Sequence, residues 1–170
     1  MARVYLSLGS NIEPRTYIAA GLDALADRFG ELVISPVYES EAVGFDGDNF
    51  LNLVVGVETA LSVGELSLQL KAIEDANGRE RSGPKYSGRT LDIDILTYDD
   101  VCGVVDGITL PRGEVLRNAF VLQPLSDIAP QQRHAKTGES FADLWQRYDR
   151  DQKLWKIDFH WQRQQISCAD

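Results

Sequence analysis

Apolar and polar positions alternate along this chain with two different periods, and the order in which the periods change predicts the architecture. Val4 to Leu8 is a short, mostly apolar run that stops at Gly9-Ser10-Asn11, the pattern of a buried strand entering a turn. From Thr16 the apolar residues Ile18, Leu22, Leu25 and Phe29 are spaced four, three and four, which predicts a helix ending near Gly30. Leu32 to Tyr38 reads as one strand, and the Gly- and Asp-rich stretch from Glu39 to Asn49 as a long loop. Phe50 to Glu58 alternates strictly: Leu51, Leu53, Val55 and Val57 share one face, and Phe50, Asn52, Val54 and Gly56 the other.

Ser62-Val63-Gly64-Glu65 has the spacing of a capping box, and the stripe Leu66, Leu70, Ile73 carries the helix it opens to Asn77-Gly78. Leu91 to Tyr98 alternates again, with Leu91, Ile93 and Ile95 opposite Thr90, Asp92 and Asp94. Strand, helix, strand, strand, helix, strand is the order of a ferredoxin-like α+β fold, an antiparallel sheet covered by helices. A hairpin near Asp99 to Leu110 and helices around Val121 to Ile128 and Phe141 to Arg150 follow. Leu154 to Trp161 alternates once more, with Trp155, Ile157, Phe159 and Trp161 on one face. It predicts an extra C-terminal strand, either an edge strand closing over the core or the interface of a homodimer. Residues 1–170 read as a single domain, with 152–170 a C-terminal extension.

The composition sets limits on function. Seventeen Lys and Arg against 26 Asp and Glu leave a formal charge of −9, which disfavours extended nucleic acid and anionic membranes as partners. No run approaches the roughly 20 apolar residues of a membrane helix, and the first residues lack the pattern of a signal peptide. Two cysteines far apart make neither a metal spacing nor a disulfide framework, so the expected location is cytoplasmic. Only two histidines are present, both in the last quarter, which argues against a Ser-His-Asp machine and against a zinc site.

The candidate chemistry lies where the charge departs from the average. Asp92 and Asp94 project from one face of a strand with Cα atoms roughly 6.5 to 7 Å apart, a spacing that suits hard divalent cations such as Mg²⁺, although a solvated strand face has the same pattern. Immediately upstream, Gly78 to Arg89 holds Arg79, Arg81, Arg89 and Lys85 against Glu80, a local charge of +3 in an acidic protein. Guanidinium groups fork onto phosphate oxygens, and a basic loop running into paired carboxylates suggests a metal-nucleotide site. Phe50 and Asn52, on one side of a strand, offer a ring face and an amide to a small planar acceptor, or are simply a core aromatic beside an outward amide.

These residues resemble a known family, the 6-hydroxymethyl-7,8-dihydropterin pyrophosphokinases of folate biosynthesis. The matching pieces are Leu8-Gly9-Ser10-Asn11, Phe50-Leu51-Asn52, Gly78-Arg79-Glu80-Arg81, the block Gly88 to Leu96, and Phe120-Val121-Leu122 running to Ile128-Ala129-Pro130. The resemblance implies a three-layer αβα domain that transfers the diphosphoryl group of ATP, the cosubstrate, to the hydroxymethyl of a reduced pterin, releasing AMP. It implies that Asp92 and Asp94 hold two Mg²⁺ ions and that Arg79 and Arg89 contact the phosphates, supported by Arg81. It further implies that Phe50 and Phe120 sandwich the pterin, that Asn52 bonds its edge, and that Ser40 and Val43 line the same pocket. Glu74, Tyr86, Ile95, Thr109 and Arg112 would lie on the nucleotide side. Departures concentrate there: Arg112 replaces the family's histidine after proline, Asn118 its arginine, Tyr86 its tryptophan and Lys71 its glutamine. A paralogue that binds a pterin or nucleotide without turnover is the second reading. A module acting through its tail is the third, and it predicts that the core stays folded without residues 152–170.

Overall fold

A computed structural model describes residues 1–41, 48–78 and 90–170. The expected antiparallel sheet is present. Strand β1 (Ala2–Ser10) lies between β4 (Phe50–Thr59) and β5 (Asp92–Tyr98), and β4 continues through β3 (Tyr38–Ser40) to β8 (Leu154–Lys156), giving the order β5-β1-β4-β3-β8. The two-residue β2 (Val33–Ile34) also pairs with β4, so the sheet has six strands.

Strict alternation in β1 and β4 gives the sheet two apolar faces, and each is covered. On one face Leu6, Leu8, Leu53, Val55, Val57 and Ile93 pack with Ile18, Leu22 and Leu25 of α1 (Pro14–Phe29) and Leu66, Leu70 and Ile73 of α2 (Val63–Ala76). On the other, Tyr5, Val54 and Leu96 pack with Val121, Leu122 and Leu125 of α4 (Ala119–Ile128) and Phe141 and Leu144 of α5 (Phe141–Gln146). The result is the three-layer arrangement. The capping box of α2 is formed: Ser62 Oγ accepts from the Glu65 N–H, and the Glu65 carboxylate accepts from the Ser62 N–H. Between β5 and the short α3 (Glu114–Arg117), β6 (Gly103–Val105) and β7 (Ile108–Leu110) form the expected hairpin, turning at Asp106-Gly107, both with positive φ.

Two expected strands are divided. Leu32 to Tyr38 breaks between β2 and β3 because Pro36 has no N–H to give the ladder. Ser35 compensates: its N–H bonds the Val54 carbonyl and its Oγ accepts from the Val54 N–H at 2.8 Å. Leu154 to Trp161 is likewise two strands, β8 and β9 (Phe159–Trp161), and β9 pairs with β10 (Gln164–Ser167) instead of continuing along the sheet. The four aromatic-face residues therefore do not share one surface. Trp155 is 42% exposed on the edge strand, whereas Phe159 is buried in the core over α1 with Ile157, Trp161 and Ile166 against it. Ser167 Oγ accepts from the Val37 N–H at 2.8 Å. The tail thus contributes Phe159 to the core and Ser167 to the Val37 backbone, which counts against a core independent of it. The helix expected over Phe141 to Arg150 stops at Gln146.

Candidate functional site

Register places the candidate residues. Residues directly opposite in an antiparallel ladder project to the same face. Asp92 is opposite Gly9 and Asp94 opposite Ser7; Gly9 is also opposite Asn52, Asn52 opposite Tyr38, and Phe50 opposite Ser40. Asp92, Asp94, Asn52, Phe50 and Ser40 therefore stand on one face at one end of the sheet, beside the helical layer that contains Phe120. That layer is docked by the Tyr38 hydroxyl, which hydrogen-bonds the Asp127 carboxylate of α4.

The middle of this face is kept open at Gly9. A Cβ there would sit 3.1 Å from Asn52 Oδ1, so glycine leaves room for the Asn52 amide beside β1. Asn52 and Ser40 are both buried, and Asn52 Nδ2 donates to Ser40 Oγ at 2.8 Å. This bond fixes the amide's orientation and leaves its oxygen on the Gly9 side. At the head of the intervening loop Asn11 Nδ2 donates to the Asp48 carbonyl at 3.3 Å.

The carboxylate end is strongly acidic. Burial, together with Asp92, Glu114 and Glu74 nearby, pushes the Asp94 carboxyl up to about 7, while Arg112 pulls in the opposite direction. Arg112 Nη2 lies 3.7 Å from Asp94 Oδ1 and 2.9 Å from Glu114 Oε1, and its Nε donates to the same Glu114 oxygen at 3.0 Å. The guanidinium is thus shared between two carboxylates. Its backbone is fixed as well, since the Arg112 N–H bonds the Leu96 carbonyl at 2.8 Å.

The remaining candidates divide. Glu74 is buried on α2, across the sheet, where Oε2 accepts from the Ile93 N–H at 2.8 Å. Ile95 points its side chain into the core over α1 and α2, leaving only its backbone for a ligand. Thr109 is exposed on the hairpin opposite Val104. Val43, Arg79, Arg81, Tyr86 and Arg89 lie outside the described residues. Sequence reasoning missed Glu114, whose one signal is its position two residues after Arg112, and the Tyr38–Asp127 pair, which has none.

An acidic pair and an oriented amide stand together at one end of an antiparallel three-layer sheet. The profile of the 7,8-dihydro-6-hydroxymethylpterin-pyrophosphokinase family matches residues 5–130. The chain is 40% identical over 136 residues to a 2-amino-4-hydroxy-6-hydroxymethyldihydropteridine pyrophosphokinase of Pseudomonas aeruginosa, covering 77% of this chain and 83% of that one. It is 38% identical to the enzyme of the same name from Aquifex aeolicus, covering 79% and 84%. Among solved structures, Plasmodium falciparum HPPK-DHPS with pterin and p-hydroxybenzoate superposes with a TM-score of 0.70 at 14% identity, covering 92% of this chain. That likeness concerns the fold, and the chain spans 46% of the Plasmodium one. The protein belongs to the 7,8-dihydro-6-hydroxymethylpterin-pyrophosphokinase family.

Proposed function

We propose that the protein transfers the diphosphoryl group of ATP to the hydroxymethyl oxygen of 6-hydroxymethyl-7,8-dihydropterin, in folate biosynthesis. The new bond joins that oxygen to the β-phosphorus, the bond from the β-phosphorus to the oxygen bridging it to the α-phosphorus breaks, and AMP leaves as the hydroxyl proton is lost. The observation that supports this most is the shared face of Asp92, Asp94, Asn52 and Ser40, which sets phosphate-side and pterin-side groups next to each other.

The residues fit Mg²⁺. Asp94 sits among three other carboxylates with one guanidinium near it, an environment that favours an added cation. Among the described residues no cluster of three or more His, Cys, Asp or Glu is assembled into a cage. Mg²⁺ is commonly held by one or two carboxylates and completed by water and substrate phosphates. Two ions on Asp92 and Asp94 would supply neutralisation of the polyphosphate. The chain's own residues do the positioning: Asn52, oriented by Ser40, addresses the pterin edge, Phe50 and Phe120 flank its ring, and Arg112 holds Asp94 in place.

The test is AMP formation from ATP, Mg²⁺ and the hydroxymethyl dihydropterin. Wild type turns over, and Asp94→Ala loses at least 100-fold on the order expected for charge stabilisation; unchanged turnover in the variant refutes the assignment. The guanidinium already beside Asp94 favours the second reading, a binder without turnover. Pterin binding with no AMP produced would establish that reading instead. Among the described residues no helix is long and apolar enough to cross a membrane.

A further inference from the structure

The part of the chain beyond the matched family region connects the two walls of the proposed pterin pocket. Asn118, the N-cap of α4, makes no side-chain cap. Gln152 does so in its place: its Oε1 accepts from the Ala119 N–H at 2.7 Å, and its Nε2 donates to the Arg117 carbonyl at 3.3 Å and to Asn118 Oδ1 at 3.4 Å. The Tyr148 hydroxyl adds a bond to the Arg117 carbonyl at 2.7 Å. Ala119 immediately precedes Phe120, so the tail holds the turn that carries this ring. A helix's first turn is set by whatever satisfies its free N–H groups.

Two residues later the chain reaches the opposite wall. Leu154 on β8 is directly opposite Ser40, which is directly opposite Phe50. Leu154 therefore projects to the face that bears Phe50 and Asn52, and it is half-buried. A span of three residues, about 7 Å when extended, leads from the turn before Phe120 to the strand that pairs with Ser40.

We propose that Gln152 is a positioning residue for Phe120 and that Leu154 shapes the ring-binding wall, so that the C-terminal segment sets affinity for the pterin. This rests on the reading of Phe50, Asn52 and Phe120 as the pterin subsite. The class of ligand is a planar, amide-edged bicyclic ring; the bond from Gln152 to Asn118, on the nucleotide side, is the longest of its three at 3.4 Å.

The experiment measures two dissociation constants on the full chain: that of 6-hydroxymethylpterin by fluorescence at saturating Mg²⁺ and a non-hydrolysable ATP analogue, and that of the analogue alone. Gln152→Leu, which cannot cap, weakens the pterin about fivefold or more and leaves the nucleotide constant within about twofold. Gln152→Glu, which keeps the acceptor for the Ala119 N–H, recovers most of the loss. Leu154→Ala keeps its backbone ladder with Ser40 and weakens the pterin about threefold or more by removing contact area. Equal loss for both ligands, or pterin affinity unchanged in both Gln152→Leu and Leu154→Ala, overturns the proposal. Phe120→Ala tests the underlying reading separately: if it leaves pterin affinity unchanged, the subsite assignment fails. If it weakens the pterin while the tail variants do not, only the role of the tail fails.

Discussion

Burial and the neighbouring carboxylates disfavour ionised Asp94 in the fold, and removing its charge is expected to stabilise the protein in the absence of a cation. Its carboxyl has an ordinary pKa of 3.8 and is pushed up to about 7 in the folded chain. Between those values the folded state holds a proton that the unfolded chain has released, so stability falls as pH rises from about 4 to about 7 and is level above that. Three pH units at about 1.4 kcal/mol each set an upper bound of roughly 4 kcal/mol. With 26% of the side chain reachable by solvent, screening reduces this to about 2 kcal/mol. For a chain of this length that is a rise in melting temperature of about 4 to 8 °C. The assay is thermal unfolding of wild type and Asp94→Asn in EDTA at pH 5 and pH 8. The variant is expected to melt higher at pH 8, with the difference shrinking at pH 5. Excess Mg²⁺ at pH 8 raises wild type and not the variant. An unchanged or lower melting temperature for Asp94→Asn at pH 8 in EDTA refutes the reasoning.

Phe159→Ala empties a fully packed site over α1 and removes the ring beneath the Arg15 guanidinium, 5.7 Å from its centroid. Its cost is about 3 to 5 kcal/mol in denaturant unfolding, and a loss below about 1 kcal/mol would contradict the placement of the tail in the core. His134 is buried and accepts at Nδ1 from the N–H groups of Lys136 and Thr137. Burial and Lys136 lower its pKa below 6.5. The unfolded chain therefore takes up the proton first, and His134 contributes stability above pH 6.5 that is lost as pH falls below it. An imidazole titrating above 6.5 by NMR would refute this.

The two faces of β4 were legible because alternation reports burial directly: Leu53 and Val55 enter one core, and Val54 the other. Asp92 with Asp94, and Phe50 with Asn52, were legible as sharing a strand face for the same reason; that the two faces meet depends on the strand order and register through Gly9, which alternation does not encode. The breaks at Pro36 and Asp158 were not, because each run keeps its alternation through residues that leave the ladder. Asp158 accepts from the Ala169 N–H through Oδ1, and its carbonyl accepts from Arg15, so it serves a turn. Arg112 was legible as a cation near the nucleotide side, but its pairing with Asp94 and Glu114 depends on a loop path that no local pattern encodes. Gln152 is the extreme case, a surface-type residue that meets Ala119 from 33 positions away.

Glu74 has a consequence for assembly. β5 is an outermost strand, and the outward N–H of Ile93 is the kind of free donor on which another chain's strand could start to pair. The Glu74 carboxylate occupies it. At the opposite margin the sheet ends in the three-residue β8, too short to template an extended partner. One donor of that edge is therefore taken up by the fold's own carboxylate, and the opposite edge offers only three residues to pair with.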